Sequence, residues 1–194
     1  TLFRSKANNF NFMANGFSLP NEAKPIDGIS SPFYLAVGRL VPEKGFHDLV
    51  EAFNRYEGPE KLIIAGDTDF KSKYADEIKS YANDNIFFIG KKSRAELKWL
   101  YTNCISFLMP SYSEGLPISA LEAVSCSAPV LLSDIVQNKD LDFPSECYFK
   151  LGNIEHLLTQ INRGGVKVDK KILENYDWEK IALNYQNLIF KVVD

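Results

Sequence analysis

The chain has 194 residues, of which 45% are hydrophobic and 24% charged, and its formal net charge is −3 at pH 7. This length suits a single globular domain with a substantial core, and the composition is ordinary for one. The acidic balance and the lack of a Lys/Arg run argue against a nucleic-acid-binding protein, and no apolar run approaches the roughly 20 residues that span a bilayer.

The N-terminal part of the sequence has few signals of regular structure. We predict residues 1–18 as a linker that contains a first short strand at 11–14, closed by the turn signal Asn15-Gly16. Residues 18–31 hold two prolines, a glycine and several serines, and they are predicted as loop.

Short apolar runs alternate with amphipathic helical patterns along the rest of the chain. The predicted strands are residues 33–37, 62–65, 86–89, 105–109, 130–132 and 148–149. Six helices are predicted: one that begins near Gly45, one at 71–83, one that follows a capping box of Ser93 and Glu96, one at 117–127, one at 153–162 and one that Asp177 caps. Residues 133–146 are predicted as loop. Unbroken apolar strands between helices indicate a parallel sheet that is covered on both faces. The predicted fold class is therefore α/β, a doubly wound Rossmann-like sheet with its ligand at the carboxyl ends of the strands.

Signals of cofactor and metal binding are sparse. The G-x-G-x-x-G fingerprint of dinucleotide-binding proteins is absent, so we expect no cofactor. Asp67 and Asp69 form an Asp-x-Asp pair in a loop, and a metal site there is the alternative to our expectation of none. His47 and His156 have no partner at triad or metal-ligand spacing and are interpreted as structural.

The most informative stretch is residues 110–124, where a predicted strand passes into a helix. Such a turn presents backbone N–H groups and a helix N-terminus to an anion. We expect free N–H groups on three residues of this turn, namely Gly115, Leu116 and Ile118. Glu114 and Glu122 bracket the turn, and a carboxylate beside a phosphate site makes sense if it accepts hydrogen bonds from sugar hydroxyls. A nucleoside-diphosphate sugar has that layout, with hydroxyls on both sides of two phosphates.

Two cationic residues follow the predicted strand 33–37. Arg39 offers a planar fork for phosphate oxygens and Lys44 a mobile point charge, while Gly38 and Gly45 allow tight turns around them. Such a pair suits a diphosphate leaving group, whose negative charge grows as a glycosidic bond breaks. The alternative is a surface Arg and Lys, with Lys44 paired to a neighbouring acid.

The pattern P-S-x-x-E-G-x-x-x-x-x-L-E-A at 110–123 resembles the E-x7-E signature of the family-4 retaining glycosyltransferases, which have the two-domain GT-B fold. The segment 37–45, Val-Gly-Arg-Leu-Val-Pro-Glu-Lys-Gly, is similar to the G-R-L-x-x-E-K-G loop of that family. Weaker matches follow the order of the family at 15–16, 61–67, 86–90, 129–135 and 176–179. The resemblance covers nearly the whole chain.

The resemblance implies roles for individual residues. Arg39 and Lys44 would bind the diphosphate, Glu122 both ribose hydroxyls and Glu114 the donor sugar. The loop after strand 86–89, with Gly90 and Lys91, would hold the base. The resemblance thus implies a donor site that also includes Gly38 and the turn 115–118, with the catalytic residues Glu114, Arg39 and Lys44.

The function implied is retaining transfer of a sugar from a UDP- or GDP-linked donor to a glycan or glycolipid, in bacterial polysaccharide or glycoconjugate synthesis. We expect residues 1–175 to be the donor-binding domain and 176–194 a C-terminal helix that packs toward a missing, acceptor-binding N-terminal domain. This fragment would then be inactive alone. The three cysteines indicate free thiols in a reducing cytoplasm, and we expect the full-length enzyme at the inner face of the membrane as a peripheral protein.

Two other functions remain open on the sequence. One is a non-catalytic module that binds nucleotide sugars. The presence of Arg39, Lys44, Glu114 and Glu122 argues against such a module but does not exclude it. The other is a nucleotide-sugar epimerase of GT-B architecture, which needs further acids and a histidine from both domains.

Overall fold

The computed structural model describes residues 17–30, 32–177, 179–183 and 186. The predicted strand at 11–14 and most of the predicted last helix lie outside these residues. The chain divides into two compact units, one of residues 18–170 and one that combines 1–17 with 171–194.

The larger unit is built on six parallel strands in the order β3-β2-β1-β4-β5-β6. The strands are β1 (Phe33–Val37), β2 (Lys61–Ala65), β3 (Ile86–Phe88), β4 (Ser106–Met109), β5 (Val130–Ser133) and β6 (Tyr148–Phe149). The chain moves outward from β1 to β3 and then returns to the other side of β1 with β4. The sheet therefore has its topological switch point between β1 and β4, where α/β proteins of this kind bind ligands. The predicted doubly wound Rossmann-like fold is confirmed.

One α-helix follows each of these six strands. They are α1 (Phe46–Asn54), α2 (Lys73–Ser80), α3 (Arg94–Asn103), α4 (Ile118–Ser125), α5 (Val136–Lys139) and α6 (Ile154–Arg163), with short 3-10 helices at Pro42–Lys44, Ser145–Cys147 and Lys170–Tyr176. The predicted capping box is present, because the Glu96 N–H donates to Ser93 Oγ and the Ser93 N–H donates to Glu96 Oε2 at 2.8 Å.

The prediction that 133–146 is loop was wrong in part, because α5 lies inside it and the 3-10 helix Ser145–Cys147 begins there. No side chain caps α5, so the local sequence carries no start signal. Contacts with β5 and β6 instead support this turn. The Asn138 side chain donates to the Ser133 carbonyl, and the Tyr148 hydroxyl donates to the Asn138 carbonyl at 3.0 Å.

The core of this unit consists of strand residues and the helix residues that cover them. Four successive residues of β1, Phe33 to Ala36, are buried, which explains why the strand is an unbroken apolar run. Among the described residues, no helix is both long and apolar enough to cross a lipid bilayer.

The smaller unit contains the predicted helix start at Asp177. Its Oδ1 accepts hydrogen bonds from the N–H groups of Glu179 and Lys180, at 3.0 and 3.1 Å. Residues 179–183 are helical, so the capping role predicted for Asp177 is confirmed.

Candidate functional site

Glycines bring the carboxyl ends of β1, β2 and β4 close together. A Cβ on Gly66, at the end of β2, would lie 1.9 Å from the carbonyl oxygen of Gly38, at the end of β1. A Cβ on Gly45 would lie 2.1 Å from the carbonyl oxygen of Pro110, and Gly45 has a φ of 67°. Only glycine allows backbones to approach this closely. The loops after β1, β2 and β4 therefore meet at one edge of the sheet.

A cavity of about 320 Å³ opens at this edge, beside the ends of β1, β2 and β3. Three cationic side chains line it, those of Arg39, Lys91 and Lys92, together with Gly38 and Asp67. The Arg39 side chain is 64% exposed and lies 3.9 Å from Glu43, a weak exposed ion pair that leaves the guanidinium accessible. Three of the predicted donor-site residues, Gly38, Arg39 and Lys91, are thus gathered around one cationic cavity.

Lys44 and Glu114 are joined in a charge-assisted pair. The Lys44 Nζ donates to both carboxylate oxygens of Glu114, at 2.7 Å each, and the side chains are 21% and 7% exposed. Ser111 Oγ donates to Glu114 Oε1 at 2.6 Å. The structure therefore shows the alternative in which Lys44 is paired to an acid. The partner is Glu114, the residue expected to bind the donor sugar.

Tyr112 fastens the loop after β4 to the loop after β1. Its N–H donates to the Glu43 carbonyl at 2.8 Å, and its hydroxyl donates to Asp48 Oδ2 at 3.0 Å. The His47 ring stacks on the Tyr112 ring, with centroids 5.5 Å apart. Burial raises the pKa of the Asp48 carboxyl above its ordinary value, against the hydrogen bond from Tyr112.

Glu122 is buried between α4 and α3. Its Oε2 accepts from the Tyr101 hydroxyl at 3.1 Å, and its Oε1 lies 2.9 Å from Nη2 of Arg94. Burial, with the negative charge of Glu122 second, raises the pKa of the Tyr101 hydroxyl well above its ordinary value, so it remains a donor to the carboxylate. Arg94 begins α3, directly after the loop that contains Gly90 and Lys91. The expected ribose acid and the expected base loop are therefore linked through Arg94.

The turn before α4 differs from the prediction at one position. The Ile118 N–H donates to the Leu116 carbonyl at 2.8 Å, so the expectation of a free N–H at Ile118 is wrong. The reason is a tight local turn around Pro117, which has no N–H of its own. No side chain caps α4. Within the described residues, no backbone carbonyl accepts a hydrogen bond from the N–H of Gly115 or Leu116.

The two acids of the Asp-x-Asp pair are engaged with lysines. Asp67 lies 2.7 Å from Lys79 Nζ and Asp69 lies 2.5 Å from Lys91 Nζ. The hydrogen bond from Lys79 lowers the pKa of Asp67, and that from Lys91 lowers the pKa of Asp69. In the ranges described here, no group of three or more His, Cys, Asp or Glu side chains has the geometry of a metal site.

Several residues around the site were not singled out from the sequence for roles in it. They are Asp48, Arg94, Tyr101, Ser111 and Tyr112. Ser111 lies inside the motif quoted above, three residues before Glu114, which is a local signal. The other four act through contacts with residues at least 21 positions away, and nothing in the local sequence marks those contacts.

Comparison with known proteins agrees with this architecture. Residues 22–141 match the family described as Glycosyl transferases group 1. The uncharacterized glycosyltransferase MJ1178 of Methanocaldococcus jannaschii is 28% identical over 178 residues, which cover 84% of this chain and 49% of that protein. The O-antigen chain mannosyltransferase RfbU of Salmonella typhimurium is 31% identical over 105 residues, covering 53% of this chain and 30% of the relative.

Among solved structures, Anabaena Alr3699/HepE in complex with UDP-glucose superposes with a TM-score of 0.72 at 18% identity, over 82% of this chain and 49% of that one. This similarity concerns the fold alone. The chain spans less than half the length of MJ1178, RfbU and HepE. Because the family match extends over more than half of the chain, this protein belongs to the group 1 glycosyl transferases, and its sheet is the Rossmann-like domain of a GT-B glycosyltransferase.

Proposed function

We propose that this chain binds a nucleoside-diphosphate sugar and forms the donor half of a retaining glycosyltransferase. The observation that carries the proposal is the gathering of Gly38, Arg39 and Lys91 around one cavity at the carboxyl ends of β1, β2 and β3. The loop after β1 that contributes Gly38 and Arg39 also carries Lys44, which pairs with Glu114. Cations and glycine backbone at the carboxyl edge of a parallel sheet suit a diphosphate.

The diphosphate would lie against Arg39 and Lys44. The Arg39 guanidinium is accessible, and its fork matches two phosphate oxygens. Lys44 already donates to Glu114, and its ammonium has a third hydrogen to offer to an oxygen of the ligand. Both cations would stabilise the charge that develops on the leaving phosphate as the glycosidic bond breaks.

The ribose would be held by Glu122. A carboxylate has about four accepting positions. The Tyr101 hydroxyl occupies one of them, and the Arg94 guanidinium lies 2.9 Å from Oε1 as an ion pair. The remaining positions can accept from a pair of cis hydroxyls, and the hydrogen bond from Tyr101 together with the ion pair to Arg94 would keep the carboxylate in one orientation. The base would then lie toward the loop of Gly90 and Lys91, to which Arg94 is adjacent.

The transferred sugar would lie against Glu114. Lys44 and Ser111 both donate to Oε1, whereas Lys44 alone donates to Oε2. Oε2 therefore keeps more capacity to accept from a sugar hydroxyl or to face positive charge on the anomeric carbon. The backbone N–H groups of Gly115 and Leu116 would serve the same sugar or its phosphate.

The relatives support the class of donor and the setting. HepE was solved with UDP-glucose, and RfbU is described as an O-antigen chain mannosyltransferase. We therefore propose UDP- or GDP-linked sugars as donors and bacterial polysaccharide synthesis as the setting. A glycan or glycolipid acceptor, a cytoplasmic location and peripheral contact of the full-length enzyme with the membrane belong to the same proposal.

Calorimetric titration of the 194-residue chain tests the proposal directly. We expect at least one of UDP, GDP, ADP and CDP to bind, and the corresponding nucleoside to bind much more weakly because it lacks the phosphates. Absence of binding by every diphosphate at millimolar concentration would contradict the proposal. Robust sugar transfer by this chain alone would contradict the idea that a second domain supplies the acceptor site.

A further inference from the structure

We propose that Ser133 and Asn138 are positioning residues that set the orientation of Glu114 toward the transferred sugar. A chain of buried hydrogen bonds connects them to that carboxylate. The inference rests on the proposed function in one respect, namely that the ligand facing Glu114 is a sugar.

The connection has three links. Asn138 Nδ2 donates to the carbonyl oxygen and to Oγ of Ser133, at 2.9 and 3.1 Å. Ser133 Oγ donates to the carbonyl oxygen of Ser111 at 2.5 Å. Ser111 Oγ donates to Glu114 Oε1 at 2.6 Å. The series of hydrogen bonds thus runs from α5, through the end of β5, to the loop after β4.

The direction of every link is determined by chemistry. A carbonyl oxygen can only accept, so the single hydroxyl hydrogen of Ser133 points to Ser111. The Ser133 oxygen is then an acceptor for Asn138. The amide of Asn138 must turn its nitrogen toward Ser133, because the reverse orientation would place two acceptors against each other. Only one arrangement of hydrogens satisfies these contacts.

This series of hydrogen bonds is shielded from water. Ser111, Ser133 and Asn138 are all buried, and Glu114 is nearly so. A buried hydrogen bond cannot exchange for one to solvent, so each link holds the next in place. The Tyr148 hydroxyl anchors the far end by donating to the Asn138 carbonyl at 3.0 Å.

One feature of Asn138 makes its donation to Ser133 the main contribution of its amide. Its Oδ1 is buried, and among the described residues it has no hydrogen-bond partner. An unpaired buried acceptor lowers stability, so an apolar side chain would serve packing better. What the amide adds is the donation from Nδ2 to Ser133. This donation holds the Ser133 hydroxyl toward the Ser111 carbonyl and thereby fixes Ser111 and the carboxylate.

Without Ser133 Oγ, the Ser111 carbonyl would be buried and unpaired, and the peptide would turn to find another donor. Ser111 Oγ moves with that peptide, so Glu114 would lose a donor and keep only Lys44. Binding of the nucleotide should change little, because none of these hydrogen bonds involves Arg39 or Glu122. Binding of the sugar should suffer.

The test measures the affinities of UDP and UDP-glucose, and of GDP and GDP-mannose, for the 194-residue chain and its variants by calorimetry. We expect Ser133→Ala and Asn138→Leu to weaken binding of the nucleotide sugar about tenfold and to leave the bare nucleotide within about twofold. Ser133→Thr keeps the hydroxyl and should restore the preference for the nucleotide sugar.

Ser106→Ala is the matched control. Ser106 is also a buried serine whose Oγ donates to a backbone carbonyl, that of Pro129 at 3.1 Å, but it lies at the start of β4, at the opposite edge of the sheet. This variant should lose stability without changing the ratio of the two affinities. An equal loss of sugar binding in Ser106→Ala would overturn the inference, because general loosening of the fold would then explain the effect.

Glu114→Gln separates this inference from the proposed function. If Glu114→Gln binds both nucleotide sugars like the parent, the role of Glu114 fails and the inference fails with it. If Glu114→Gln weakens the nucleotide sugar while Ser133→Ala and Asn138→Leu bind like the parent, the inference alone is refuted.

Discussion

The ammonium of Lys44 lies 2.7 Å from both carboxylate oxygens of Glu114. These residues come from the loops after β1 and β4, which flank the switch point, so the pair bridges the two loops there. Each member compensates the charge of the other in a place with little solvent. A substitution of either one therefore acts on stability as well as on ligand binding.

Lys44→Met should destabilise the fold by about 1–3 kcal/mol, because it leaves the Glu114 carboxylate almost buried and without its cation. The role that the resemblance implies for Lys44, binding of the diphosphate, does not by itself predict this loss of stability. Adding Glu114→Gln to Lys44→Met should recover part of the loss, since a neutral amide needs no cation. Urea unfolding of both single variants and the double variant measures this coupling. Strictly additive effects would show that the pair contributes nothing.

Arg39→Ala should weaken binding of a nucleoside diphosphate by about 1.5–3 kcal/mol, the usual range for a hydrogen bond to a charged group. Its stability should match that of the parent, because the side chain is largely exposed. Nucleoside binding should not change. Arg55→Ala is the matched control, since Arg55 is also an exposed arginine in ion pairs but lies at the far end of α1. Calorimetry that finds the two variants equal would remove Arg39 from the phosphate site.

The two glutamates should separate by the part of the donor that they hold. We expect Glu122→Gln to lose discrimination between ribose and 2′-deoxyribose nucleotides, because an amide is a poorer acceptor for two hydroxyls. Glu114→Gln should keep this discrimination and weaken only the complete nucleotide sugar. Arg94→Ala removes the cation beside Glu122 but leaves the carboxylate, so it should still discriminate. The reverse pattern in the titrations would mean that the two roles are exchanged.

Asp48→Asn should change how stability depends on pH. Burial raises the pKa of the Asp48 carboxyl from its ordinary 3.8, so the folded protein holds this proton to a higher pH than the unfolded chain. The stabilisation from the bound proton is complete below 3.8 and is lost as the pH rises through the folded pKa. At neutral pH the parent therefore carries a buried charge that Asp48→Asn lacks.

We expect Asp48→Asn to be more stable than the parent at neutral pH, with a difference that shrinks as the solution is acidified. The amide oxygen can still accept from the Tyr112 hydroxyl, so the loop contact persists. Asp140→Asn, at an exposed position, should show no such trend. Unfolding free energies measured across this pH range check the sign, and a variant that is less stable at neutral pH would contradict it.

Sequence patterns were sufficient for most of the sheet. The apolar runs located all six described strands to within about a residue, because strands buried on both faces leave an unmistakable signal. The charged motifs also placed Arg39, Lys44 and Glu114 at neighbouring strand ends. Parallel strands end at one edge, so this part of the site follows from the fold class.

Pairings between side chains could not be predicted in the same way. The partner of Glu122 is Arg94, and that of Ser111 is Ser133, each a contact between different helices or strands. Single-turn α5 was missed because its supports come from Ser133 and Tyr148 rather than from a local cap. Such contacts exist only once the chain has folded, and the local pattern carries no trace of them.

The central position of β1 has a consequence for the kinetics of folding. β1 pairs with β2 on one side and with β4 on the other, and the chain completes β2 and β3 before it returns. The Lys44–Glu114 pair closes a loop of 70 residues, so it belongs among the contacts with a high entropic cost of closure. Helices can form before that closure, whereas the donor site cannot. During refolding, recovery of nucleotide binding should therefore lag behind recovery of the helical circular dichroism signal.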